Sequence, residues 1–244
     1  MPPAYLTPPN RPKNSYADWL GWLGALATLV LAIFRWGYEY GRGDQMQLLS
    51  YALYLRDNSL YPHDFFIQNL SAAVPNERYF FTWLISWLTP VLEPACFVLH
   101  VLFGMYLFWL CYRLAAKFIE AKHLRWLAVL LVFIPLYNTN LGGNELYYNT
   151  FFVSNPVKAL GLHAVLWILN RKYMAALAMA AFITLLQPVN GVQLFVTFSG
   201  ILFFGKLFNW LPISWPVALR PIVRTCLPGL PTCWCSIFTS RKKA

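Results

Sequence analysis

The sequence predicts an all-α, polytopic transmembrane bundle of six or seven spans, with interfacial helices in the first outer loop. Three observations predict it: a surplus of apolar residues, apolar runs of bilayer length, and basic residues gathered where those runs end. Of the 244 residues, 59% are hydrophobic and only 11% charged. A soluble domain carries roughly 45–50% apolar and about 25% charged residues. Apolar surface on this scale exceeds what one water-soluble core can enclose, so the solvent it calls for is a bilayer. At about 20 residues per span plus connectors, the chain accommodates roughly six or seven crossings.

Residues 1–18 are Pro-rich and polar and read as a cytoplasmic tail, with Arg11 and Lys13 ahead of the first span. The apolar run that follows is too long for the core of a signal peptide and has no small-residue cleavage site. A transmembrane helical domain is expected over 19–210. Its first span covers Trp19 to Tyr38, with Arg35 near the end, where a long side chain reaches the headgroups. Residues 39–79 are the longest polar stretch and form the outer loop. Within it Asp44 precedes a run in which Met46, Leu49 and Leu53 recur at helical spacing while Gln45, Gln47 and Arg56 fall elsewhere. That pattern predicts an amphipathic helix lying flat at the interface. A second short helix is expected after Pro62, through Asp64–Leu70.

Residues 79–92 are apolar but short, and Pro90 and Pro94 interrupt them. Ala95 to Tyr112 is the next span, and later ones are expected at 125–141, 156–170, 173–188 and 190–210. Charge decides how 79–92 is read. If it does not cross, residues 39–94 lie outside with six acidic residues against three arginines. The 113–125 connector then lies inside with four basic residues against Glu120, and Arg171 and Lys172 join it. A crossing segment would put both basic connectors outside, against the positive-inside tendency. A non-crossing or re-entrant segment is therefore expected.

The net charge of +10 sits at span ends and forms no basic stripe with stacking aromatics, so nucleic acid is not an expected partner. Membrane lipids are. The five cysteines include no CxxC pair, so neither a zinc site nor a disulfide framework is expected, and no metal or cofactor is predicted. Walker, GxSxG and HExxH patterns are missing from the sequence, which leaves nucleotide hydrolysis, serine hydrolysis and zincin chemistry without support.

Three polar turns hold the candidate chemistry. The first is Gly41-Arg42-Gly43-Asp44-Gln45, with Leu60-Tyr61-Pro62-His63-Asp64 beyond it. Carboxylates beside a span can act as a base or bind a cation, although Asp44 also stands where an N-cap belongs. The second is Asn138-Thr139-Asn140-Leu141-Gly142-Gly143-Asn144-Glu145, whose amides and carboxylate suit a polyhydroxylated substrate or, equally, a solvated loop. The third is Gln187-Pro188-Val189-Asn190-Gly191, a tight turn between spans. On the non-crossing topology all three face outward together. His100 and His163 lie in apolar segments, where a lone histidine commonly bonds a neighbouring helix. Asn69-Leu70-Ser71 matches a glycosylation acceptor.

One span, an acidic outer loop with an Asp soon after the membrane, and interfacial helices together resemble the GT-C-type membrane glycosyltransferases. More narrowly, Gly43-Asp44-Gln45, Tyr51-Ala52-Leu53-Tyr54, Leu60-Tyr61-Pro62 and the Gln187-Pro188…Gly191 turn look like a group of bacterial multi-pass proteins related to them. The resemblance covers residues 19–210 and implies sugar transfer from a polyprenyl-phosphate donor at the outer face of a bacterial cytoplasmic membrane. It implies Asp44 as the base that deprotonates the acceptor hydroxyl, and Arg42 or Arg78 as the group meeting the donor phosphate. Gln45, Asp64, Asn144, Glu145, Gln187 and Asn190 complete the expected substrate-binding set. The chain departs from the family in lacking a second acidic residue beside Asp44. It also departs in having fewer spans, and in a Pro- and Cys-rich tail over 211–244 such as a truncated or frame-shifted reading frame gives. The competing expectations are a transporter or flippase-like carrier, a non-catalytic membrane subunit and an inactive fragment. Against the carrier, no internal repeat is visible in the sequence.

Overall fold

The computed structural model describes residues 16–74, 76–133 and 147–211, with Trp215 and Leu219 beyond them. These residues form nine α-helices and no strand. They are α1 (Tyr16–Trp36), α2 (Asp44–Arg56), α3 (Phe65–Ala72), α4 (Tyr79–Ser86), α5 (Leu92–Ala115), α6 (Lys122–Phe133), α7 (Ser154–Leu169), α8 (Tyr173–Leu186) and α9 (Pro188–Leu207). A 3-10 turn at Thr89–Val91 joins α4 to α5 where Pro90 withholds a backbone N–H.

Three of these helices are long and apolar enough to cross a membrane: α1, α5 and α9. Helix α8 is apolar but has only 14 residues, about 21 Å at 1.5 Å per residue against a hydrocarbon core of about 30 Å. The three long helices do not hide their apolar surface within the bundle. Only 22% of the α9 window and 28% of the α1 window is buried, and Phe34 is 86% exposed. A soluble protein does not leave contiguous apolar helix faces in water.

The direction of packing sets which helix ends lie together. Helices α1 and α5 run antiparallel: Trp22 stacks on Trp109 at 4.7 Å, Leu29 meets Gly104, and Tyr38 stands over Phe97 and His100. Gly104 admits the Leu29 contact, since a Cβ there would stand 2.9 Å from Leu29 Cδ1, and Gly24 in the same way admits the Trp126 ring of α6. Because α1 ends where α5 begins, the chain between them leaves and rejoins the bundle at one end. Helix α4, with eight residues and about 12 Å of length, does not carry it across. Residues 79–88 fall in none of the three helices long and apolar enough to cross, while residues 89–92 join the one that continues through α5.

Helices α5 and α7 run parallel, with Phe103 beside Phe151, Tyr106 hydrogen-bonded to His163, and Lys117 to Asn170. Helices α7, α8 and α9 then fold as successive hairpins on a core of Ala164, Ala176, Leu177, Ala180, Phe198 and Leu202. The acidic residues gather towards one end of the bundle. One end holds Arg113, Lys117, Lys122 and Arg125, the Arg171-Lys172 turn and Lys206 with Glu120; the other holds Glu39, Asp44, Asp57, Asp64, Glu77 and Glu93 together with Arg35, Arg42, Arg56, Arg78 and Lys158.

Helix α2 corrects the predicted face. Its buried residues are Gln45, Leu48, Leu49, Tyr51 and Ala52, while Met46 is 59% exposed. The polar residue turns in and the apolar one turns out, because the loops beneath α2 present backbone groups that need partners. The other predicted helices form within a few residues of the expected limits, and α6 is described only to Phe133.

Candidate functional site

A cavity of about 130 Å³ opens at the acidic end of the bundle. On a measure that allots one water roughly 10–15 Å³, it has room for a phosphoryl-sized group and a few waters. Its polar and charged lining is Asp44, Glu77, Arg78, Ser154 and Gln187; Leu48, Phe81, Phe152, Leu186 and Val189 contribute apolar wall. Two of the three polar turns singled out in the sequence therefore meet in one cavity. The second turn, with Asn144 and Glu145, lies outside the described residues.

Asp44 is held at the rim by its neighbours. The N-cap of α2 is Gly43, at φ +58, and no side chain caps the helix. Asp44 is thus the first helical residue and not the cap, which leaves its carboxylate free of the role the sequence offered it. Only a residue without Cβ takes this backbone conformation at no steric cost, so Gly43 permits the turn. Gln45 braces the site from below. It is 1% exposed, its Oε1 accepts the Gly41 N–H at 2.6 Å, and its Nε2 donates to the Phe151 carbonyl at 2.8 Å. Its side chain is committed to backbone and lies away from the cavity. A further tie joins the Glu39 N–H to the Asn149 carbonyl at 2.9 Å.

Arg78 precedes α4 and is fixed from three sides. Its Nη1 donates to Gln47 Oε1 at 2.6 Å, its Nε stands 3.8 Å from Glu77 Oε1, and its guanidinium lies 5.6 Å over the Phe66 ring. Gln187 closes α8 and opens α9, and its Oε1 accepts from Asn190 Nδ2 at 2.9 Å, so Asn190 orients it.

The remaining predicted residues serve elsewhere. Arg42 pairs with Glu39 on the exposed loop and does not line the cavity. That contact holds the Glu39 carboxyl below its ordinary value. Asp64 caps α3, accepting the Ile67 N–H at 2.9 Å. Sequence reasoning missed Glu77 and Ser154 as cavity residues. The signal for Ser154 was present, since Ser154-Asn155-Pro156 is a helix-start pattern. Among the described residues, no group of three or more His, Cys, Asp or Glu is placed to hold a metal ion.

The helix ends set the electrostatics. Four helices begin at this cavity: α2 at Asp44, α4 just after Arg78, α7 at Ser154 and α9 at Pro188. None of the four carries a side-chain cap. Each N-terminus acts as about half a positive charge, and the single C-terminus, that of α8, as about half a negative one. They offset part of the charge of the Asp44 and Glu77 carboxylates, and the lining formed by Arg78 and the starts of α7 and α9 is the part that suits an anion.

Fold and site together define an all-helical protein with helices apolar enough to cross a membrane and a polar cavity where helix N-termini meet. No protein family model matches the chain, and no curated protein and no solved structure matches it.

Proposed function

We propose that the chain is a multi-pass integral membrane protein that transfers a sugar from a polyprenyl-phosphate donor to a hydroxyl acceptor at the outer membrane face. The observation that carries this reading is the convergence of Asp44, Arg78 and Gln187, from three separate turns, on one cavity at the acidic end of the bundle, part of whose lining suits an anion. In this account α6, α7 and α8 complete a polytopic bundle of six or seven spans around α1, α5 and α9. Their shortness is met by tilt, local thinning or burial among neighbours. The basic end faces the cytoplasm, and α2 and α3 lie at the outer interface.

The chemistry follows from the residues at the rim. The Asp44 carboxylate takes the proton of the acceptor hydroxyl as its oxygen bonds to the anomeric carbon. The bond from that carbon to the phosphate oxygen breaks, and polyprenyl phosphate departs with the electron pair. Arg78 meets the phosphate and stabilises the charge that develops on it. Gln187, held by Asn190, offers an amide to sugar hydroxyls. The apolar wall of Leu48, Phe81, Phe152 and Val189 receives the start of the polyprenyl chain.

The test is consumption of a polyprenyl-phosphate sugar by the purified chain in lipid nanodiscs. Loss of a general base lowers turnover by about 10²–10⁴-fold, so Asp44→Asn is expected to fall by that much while still binding donor. Solute uptake into vesicles without any covalent product would establish the carrier instead.

A further inference from the structure

We infer that the phosphate seat of this cavity is built at the starts of α7 and α9, with the Ser154 side chain as its hydroxyl donor and Arg78 lining the same cavity. The inference rests on the reading of the cavity as the site of a lipid-linked phosphate and assigns the atoms that hold it.

Ser154 is the first residue of α7 and lines the cavity, yet it is only 8% exposed. Among the described residues its hydroxyl has no hydrogen-bond partner. The oxygen is not one of the enclosed polar atoms that lack a partner, so it opens onto the cavity and is free to donate to whatever occupies it. The backbone beside it is in the same condition. The N–H groups of Ser154 and Val189 have no acceptor among the described residues, as expected for a helix's first turn. Proline at 156 and at 188 narrows the choice of donors, because neither residue has an N–H to offer. Asn155 is occupied, since its Oδ1 accepts the Phe152 N–H at 3.0 Å. What remains open at this wall is one hydroxyl and two N–H groups, at two helix ends whose dipoles favour negative charge.

Arg78 lines the same cavity. Gln47 and Glu77 stand at its Nη1 and Nε, and among the described residues its Nη2 has no hydrogen-bond partner. A tetrahedral phosphate presents several acceptor oxygens and can engage both sets of donors at once. The apolar lining of the same cavity then fits a phosphate that carries a hydrocarbon chain.

The experiment measures binding to the full chain in nanodiscs by native mass spectrometry, with a polyprenyl phosphate, the matching polyprenol and inorganic phosphate as probes. The wild type is expected to bind the lipid phosphate and to prefer it over polyprenol. Ser154→Ala is expected to weaken lipid-phosphate binding about ten- to a hundredfold, the scale of one hydrogen bond to a charged group, and to leave polyprenol binding unchanged. Ser154→Thr restores the hydroxyl and is expected to bind within about twofold of wild type, while Ser154→Asp, which places an anion in the seat, abolishes binding. Competition by inorganic phosphate would assign the seat to phosphate alone; a lack of competition would assign it to the lipid headgroup. Lipid-phosphate binding that is unchanged in Ser154→Ala but lost in Arg78→Ala overturns the inference and leaves the reading of the cavity standing. A wild type that does not distinguish lipid phosphate from polyprenol overturns both. Ser154-dependent phosphate binding without sugar transfer would overturn the reading and keep the seat.

Discussion

Gln45 is the residue on which the geometry of the cavity rim depends most, and replacing it by leucine tests that dependence. Its amide ties two loops that are over a hundred positions apart in the chain, the 39–43 turn and the 147–153 segment. Leucine keeps much of the volume and removes both bonds. The Phe151 carbonyl, in a residue 3% exposed, loses its donor in a dry setting, and the partly buried Gly41 N–H loses its acceptor. A buried polar group left unpaired costs about 1–3 kcal/mol, and the more apolar side chain returns about 1 kcal/mol through burial. With two such groups unpaired, the net destabilisation is about 1–5 kcal/mol. Thermal unfolding of the detergent-purified protein measures it, and Gln45→Glu provides a second variant that keeps an acceptor for Gly41 and, as the neutral acid that burial favours, an O–H for Phe151. The expected order of midpoints is wild type, then Gln45→Glu, then Gln45→Leu. An unchanged midpoint in Gln45→Leu would refute the account of how Asp44 is positioned.

Glu77→Gln is expected to tighten polyprenyl-phosphate binding by roughly two- to fivefold, because an exposed carboxylate beside Arg78 competes weakly with the incoming anion; titration of the lipid into nanodiscs checks this. Gly191→Ala places a Cβ 2.3 Å from the Thr184 backbone nitrogen, so α8 and α9 must separate. The expected cost is about 1–3 kcal/mol, read as a lowered unfolding midpoint together with weaker lipid-phosphate binding.

Much of the architecture was legible because apolar length and proline placement are local signals. Helices α1 and α5 are uninterrupted runs, and α4 stays short because the chain meets Pro90 within a few residues of its end. The face of α2 was not, because the pattern was read as if the polar side must meet water. In apolar surroundings the backbone of the neighbouring loops is the scarcer partner, so Gln45 turned inward and Met46 outward. Asp44 was misread as a cap for a related reason: Gly43 at positive φ starts the helix one residue earlier than a side-chain cap would. Asp44, Arg78 and Gln187 were each visible as candidates, but their meeting depends on the antiparallel packing of α1 on α5 and the α8–α9 hairpin. Ser154 escaped notice because an isolated serine acquires meaning only from the helix ends gathered around it.

The most direct test of the central claim is the accessibility of single cysteines introduced at Asp57, Glu120 and Lys172 in a background without the native cysteines, using a membrane-impermeant thiol reagent on intact cells. The account predicts membrane-fraction protein labelled at 57 and protected at 120 and 172 until the membrane is opened. Labelling of 57 and 120 from the same side, or recovery of the chain in the soluble fraction, would contradict it.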